Sequence, residues 1–158
     1  NIEKNIELAK TFNPPVILHS RLIEKSFRKA AFKKGKHILV FETGESLRYD
    51  EFGIQEAIDG TLRMLHYLDM IGDSPEPGIV TEIYNKSTWI RAKYAGLFRP
   101  RLQLGDHIKK RQLVGRITDP FGMESFKILS KQEGQVIGLN NNPVIHKGDA
   151  LIHVAFKN

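Results

Sequence analysis

The feature that most constrains this chain is the segment Gly72-Asp73-Ser74-Pro75-Glu76-Pro77-Gly78. Each proline lacks a backbone donor and has a fixed φ, and each glycine carries a large entropic cost in regular structure, so no helix or central strand is expected to cross it. The hydrophobic pattern differs on its two sides. Before it, Val16-Ile17-Leu18 is a short apolar run that predicts a strand. Leu22, Ile23, Phe27, Ala30 and Ala31 then fall on one side of a helix, with Gly35 placed to end it. Ile38-Leu39-Val40-Phe41 predicts a second buried strand. After the turn Thr43-Gly44-Glu45-Ser46, the residues Phe52, Ile54, Ala57, Ile58, Thr61, Leu62, Leu65 and Leu68 repeat at helical spacing up to Met70. The order strand, helix, strand, helix predicts a parallel α/β layer.

Two strands make a poor core for a parallel sheet, which needs both faces covered and usually several strands. Further strands are therefore expected before Asn1. The chain starts without an initiator methionine and runs straight into the amphipathic series Ile2, Ile6, Ala9, Phe12, which supports the expectation of a longer protein.

Past Gly78 the runs shorten and no helical period of useful length remains. Residues 79–84, 88–92, 113–117, 126–129, 135–137 and 150–154 are strand-like and separated by turn residues, which predicts an all-β half. Leu104-Gly105-Asp106-His107-Ile108 is echoed by Lys147-Gly148-Asp149-Ala150-Leu151. A Gly-Asp pair supplies the backbone freedom and the side-chain acceptor that a tight turn requires. Two such turns, with Glu133-Gly134-Gln135-Val136-Ile137, resemble the barrel-sandwich fold of biotinyl and lipoyl carrier domains. The expected domains are residues 1–72 and residues 78–158.

The formal charge of +6 raises nucleic-acid binding. The basic residues read as dispersed, with local knots at Lys33, Lys34 and Lys36 near a helix end and at Lys109, Lys110 and Arg111 near a turn. No aromatic-basic RNA motif or zinc finger accompanies them, so solvated surface is the expectation and nucleic acid is not an expected partner. No apolar run approaches the roughly 18 residues of a membrane span and no leader pattern is visible; a cytoplasmic protein without a membrane partner is expected. The absence of cysteine excludes disulfides and thiolate metal sites, leaving His, Asp and Glu as metal ligands.

In parallel α/β sheets ligands collect beyond the carboxyl ends of the strands. His19 follows Val16-Ile17-Leu18, and Glu42 follows Ile38-Leu39-Val40-Phe41. A carboxylate held at such a rim suits general-base work, although from spacing alone it is equally a turn cap or a lysine partner. Arg28 and Arg48 flank the same edge as candidates to grip a substrate carboxylate, since a guanidinium fork matches two oxygens. Arg91 is a further candidate from the β half. Trp89 is expected to plug a core or interface. His66, His107, His146 and His153 show no ligand spacing to one another, and no complete metal site is expected within the chain.

Phe41-Glu42-Thr43-Gly44-Glu45, the helix Ile54 to Met70, Trp89-Ile90-Arg91-Ala92, Gly96-Leu97-Phe98, the Gly105-Asp106 turn, Ile117-Thr118-Asp119-Pro120-Phe121-Gly122 and Gly148-Asp149-Ala150-Leu151 carry a resemblance. Taken in order, they resemble the C-terminal half of the succinylglutamate desuccinylase/aspartoacylase family, over nearly the whole chain. The resemblance implies the C-terminal part of a carboxypeptidase-like parallel or mixed sheet domain, followed by a small all-β lid. It implies a zinc-dependent hydrolase that cleaves the amide of an N-acyl amino acid or similar small substrate. Glu42 would activate the attacking water. The zinc ligands of the family, a His-x-x-Glu motif and a later His, have no counterpart here and are expected in a missing N-terminal half. Two other readings stand beside this one. A carrier-like module would need a displayed lysine, and residues 119–125 contain none; a non-catalytic remnant would keep only the fold.

Overall fold

A computed structural model describes residues 2–157. The chain divides into two compact units between Ile83 and Tyr84.

The first unit contains three helices, α1 (Ile2–Phe12), α2 (Phe27–Lys33) and α3 (Glu51–Tyr67), and a two-stranded sheet of β1 (Val16–Leu18) with β2 (Glu82–Tyr84). Each boundary has a local cause. Ser26 caps α2, its hydroxyl accepting from the Lys29 amide. At the other end Gly35 takes φ +68°, letting its own N–H reach the Phe32 carbonyl and the Lys36 N–H reach Ala31. Asn13, also left-handed at φ 59°, ends α1, and its amide donates to the Ile79 carbonyl and to Thr81 Oγ1. That tether holds the end of α1 beside the segment leading into β2.

Helices α1 and α3 pack through small residues. A Cβ at Gly60 would stand 2.6 Å from the Phe12 ring, so the absent side chain is the condition for that contact. One turn on, Arg63 is buried and donates from Nε and Nη2 to the Phe12 carbonyl at 3.1 and 2.9 Å. A cation on the last carbonyl of α1 offsets the negative end of its dipole and satisfies an otherwise orphaned acceptor.

Three expectations are corrected here. Ile38–Phe41 is not a strand. A strand needs a neighbouring ladder of donors and acceptors, and among the described residues none lies alongside. The segment is instead held against α1, with Asn5 bonded to His37 Nδ1 and the Ile38 carbonyl, and with the Phe41 ring 5.1 Å from that of Phe12. β1 therefore pairs with β2, and the two-strand parallel layer expected from 16–18 and 38–41 is absent among the described residues. Leu22 and Ile23 lie outside α2, because Ser26 starts that helix later than the apolar spacing suggested.

The second unit is all β. One sheet has the order β3 (Lys86–Arg91), β10 (Ala150–Phe156), β8 (Gly134–Leu139), β5 (His107–Ile108). The other runs β7 (Ser125–Leu129), β6 (Leu113–Thr118), β4 (Gly96–Pro100), β9 (Val144–Ile145). Every pairing within these two sheets is antiparallel. They are two four-stranded sheets, not a closed barrel. Both contribute to a single apolar core, with Phe98, Val114, Ile117 and Ile145 from one and Ile108, Val136, Leu151, Ile152 and Val154 from the other.

The two Gly-Asp turns are built alike. Gly105 and Gly148 take φ +89° and +99°. The carboxylates of Asp106 and Asp149 accept from the backbone of Gln103 and His146 at 2.8 and 2.7 Å. Each glycine N–H then reaches a neighbouring segment, Val136 in one case and Ala92 in the other. The sequence echo is thus an echo of hydrogen bonding.

Candidate active site

Glu42 lies on an exposed loop that follows the irregular segment 36–41, so the strand that was expected to hold it is not there. The loop is fastened one residue later. Thr43 Oγ1 donates to Asp50 Oδ2 at 3.3 Å, and Asp50 is the cap residue of α3. Thr43 also lies on the first turn of that helix, where a Cβ at Gly53 would come within 2.1 Å of its hydroxyl oxygen. Gly44 turns the chain at φ +68°, and a side chain there would press on Asp50. The Glu42 carboxylate itself makes no hydrogen bond or ion pair among the described residues. It is a free acceptor on an anchored loop.

The next residues form an open depression lined by Thr43, Gly44, Glu45, Arg48, Tyr49, Asp50 and Ile54. Arg48 pairs with Glu45 at 3.2 Å across the turn. Glu42 and Arg48 thus share one loop, with the guanidinium already engaged by a carboxylate.

Arg28 is used differently. Its Nη1 donates to Ser20 Oγ at 2.8 Å and its Nη2 to the carbonyls of Ser20 and Arg21 at 3.2 and 2.9 Å. The fork braces the segment immediately after His19. His19 follows β1 directly and its side chain is exposed. Arg28 and His19 therefore belong to one neighbourhood, with two of the arginine's donor contacts on backbone carbonyls and one on the Ser20 hydroxyl.

Arg91 belongs to the second unit, where Nη1 donates to the Gly148 carbonyl at 2.9 Å and braces the Gly148-Asp149 turn. Trp89 does not plug the core. It sits opposite His153, 40% exposed, with the rings stacked at 4.4 Å and His153 Nε2 2.9 Å from Ser87 Oγ. The cause is alternation, since Ile90 on the same strand packs against the core and leaves Trp89 on the other face.

Sequence reasoning missed Arg63 and the Thr43–Gly53 contact. The only signal for Arg63 was its place three residues after Gly60 on the buried side of α3. Nothing local announces that a glycine makes room for a threonine ten positions earlier.

No group of three or more His, Asp or Glu among the described residues is arranged to hold a metal ion. The described residues alone do not fit a zinc centre. No helix among them is long and apolar enough to cross a membrane.

An α/β unit followed by a two-sheet β unit is an arrangement found in solved structures. The product-bound ectoine utilization protein EutE (DoeB) from Ruegeria pomeroyi superposes with a TM-score of 0.85 at 19% identity, over 97% of this chain and 48% of that one. A succinylglutamate desuccinylase/aspartoacylase from Rhodobacter sphaeroides gives 0.85 at 20%, over 99% and 50%. A succinylglutamate desuccinylase from Silicibacter sp. TM1040 gives 0.83 at 22%, over 98% and 49%. The chain has the fold of succinylglutamate desuccinylase/aspartoacylase family proteins, and it spans about half the length of these structures. No protein-family model and no curated protein matches the sequence.

Proposed function

We propose that this chain is the C-terminal half of a zinc-dependent hydrolase that cleaves the amide of an N-acyl amino acid or a similar small substrate. The observation that carries the reading is Glu42: a free carboxylate on a loop fastened through Thr43, Asp50 and Gly53, in a fold shared with desuccinylase and aspartoacylase structures.

In this reading Glu42 takes a proton from the water that attacks the amide carbonyl and delivers it to the leaving amine, a role that needs an unpaired acceptor on a rigid support. Arg48 and Arg28 are the proposed contacts for the substrate carboxylate, Arg48 by exchanging Glu45 for the ligand. His19 borders the same region, and Arg91 is retained as a candidate from the second unit. The zinc, which would act as a Lewis acid, takes its ligands from the other half of the fold. That half would also cover the apolar side chains left exposed on the first unit, Ile23, Val40, Phe52 and Ile58 among them.

The test is hydrolysis of N-succinyl and N-acetyl amino acids by this chain joined to the remaining half of the fold. Amide cleavage that stops with a chelator and returns with zinc is expected. Cleavage indifferent to metal, or none on any N-acyl amino acid, defeats the proposal. The carrier reading has less support, since the hairpin that would display a lysine displays Phe121 and Met123.

A further inference from the structure

The positive charge is not spread evenly over the fold. Residues 84–158 hold thirteen Lys and Arg against five Asp and Glu, whereas residues 1–83 hold eleven against thirteen. The excess sits in the β unit, and one of its sheets concentrates part of it.

Strand pairing places Arg99 of β4 opposite Arg116 of β6, and Arg116 opposite Lys127 of β7. Three cations thus lie side by side on one face of adjacent strands. Like charges directly across a ladder are destabilising, so such a row is costly unless something else gains from it. None of the three is in an ion pair among the described residues. Arg116 has only a long contact to Ser125 Oγ, at 3.4 Å.

The same face is ordered along the strands. Two residues from the cationic row lies a second row, Val144, Leu97, Thr118 and Ser125, apolar or hydroxyl-bearing. Beyond it β6 and β7 are joined by the loop 119–124, whose tip exposes Phe121 and Met123 at 87% each. The tip is not slack. Asp119 accepts from the amides of Phe121 and Glu124 at 3.2 and 2.7 Å, and its carbonyl accepts from Gly122. Glu124 is the one exposed acid near the tip, and the Asp119 carboxylate is occupied by backbone donors.

We propose that this hairpin and sheet face form a peripheral binding site for an anionic lipid surface. The apolar tip enters the interface, the Leu97 row lies at its boundary, and Arg99, Arg116 and Lys127 meet the phosphate and carboxylate headgroups. With about 3.3 Å of rise per residue the cations stand about 7 Å behind the Leu97 row, a depth suited to headgroups when the tip is among acyl chains. A nucleic-acid duplex would use the cations but offers no acyl phase for a tip that exposes both Phe121 and Met123, which is why a lipid surface fits better. This is independent of the hydrolase reading, because it uses none of that site.

The test is co-sedimentation of the chain with vesicles of phosphatidylcholine alone and of equal parts phosphatidylcholine and phosphatidylserine. Binding only to the anionic vesicles, falling with salt, is expected. At about fivefold per cation, Arg99→Gln, Arg116→Gln and Lys127→Gln together should lower partitioning about a hundredfold. Phe121→Ser with Met123→Ser should weaken binding further at high salt, where charge is screened. Because all five positions are on the surface, an unchanged far-ultraviolet spectrum is expected to accompany the loss. No binding to anionic vesicles at low salt overturns the proposal, as does wild-type binding by the triple variant. Tighter binding to an oligonucleotide duplex than to these vesicles, unaffected by the tip substitutions, also overturns it.

Discussion

The two units solve the problem of burial in opposite ways. In the β unit, Val114, Leu151, Ile152 and Val154 are wholly buried in one shared core. In the α/β unit, Leu8 and Pro14 are the buried apolar side chains among the described residues, and α3 buries Gly53, Gly60 and Arg63. The β unit therefore gains its stability from apolar packing. The α/β unit is held by close backbone approach, caps and a buried arginine, with large apolar side chains facing outward. The β unit closes its apolar core on itself, while the α/β unit carries apolar surface that suits further structure.

That contrast can be broken by substitution. Leu151→Ala should destabilise the β unit by about 2–5 kcal/mol, because a fully buried leucine loses both its transfer energy and its packing. Urea unfolding followed by Trp89 fluorescence measures it. A loss under 1 kcal/mol would mean the core is far looser than its burial indicates.

In the α/β unit, Arg63→Met should cost about 2 kcal/mol, since it removes a charged donor from the Phe12 carbonyl and leaves that acceptor unsatisfied. Helical circular dichroism through a urea titration reads this, and an unchanged midpoint would remove Arg63 from the account. Gly60→Ala tests the same helix pair by steric means. Alanine favours the helix by about 1 kcal/mol, while the collision with the Phe12 ring costs about 1–3, so a net loss of about 1 kcal/mol is expected. A net gain would show that Phe12 yields freely. At the other extreme, Ile58→Ser should change stability by less than about 0.5 kcal/mol in the chain alone, because Ile58 is exposed there. A large loss would contradict the outward-facing apolar surface.

How much of this was legible in the sequence follows from which forces are local. The presence of α3, the Gly35 helix end and the two Gly-Asp turns depend on residues within a few positions, and each was readable, although α3 stops at Tyr67 and not at the expected Met70. Ile38–Phe41 was not, because strand formation depends on a partner elsewhere, and an apolar extended run looks the same with or without one. The β4 strand was missed since Arg99 and Pro100 interrupt its alternation, yet it pairs with both β6 and β9. The row of Arg99, Arg116 and Lys127 was invisible for the same reason. Spread along the sequence, the three cations become neighbours only through register. At the candidate site the sequence located Glu42 and its turn, while the anchoring by Thr43 on Gly53 depended on the loop folding back onto α3.

Glu42 is proposed as a general base held by that loop. The most direct measurement is steady-state hydrolysis of an N-acyl amino acid by Glu42→Gln in the protein that also carries the remaining half of the fold, with bound zinc quantified in parallel. The prediction is a fall in kcat of about 10²–10⁴ with KM and zinc content little changed. Turnover equal to that of the unsubstituted protein would contradict it.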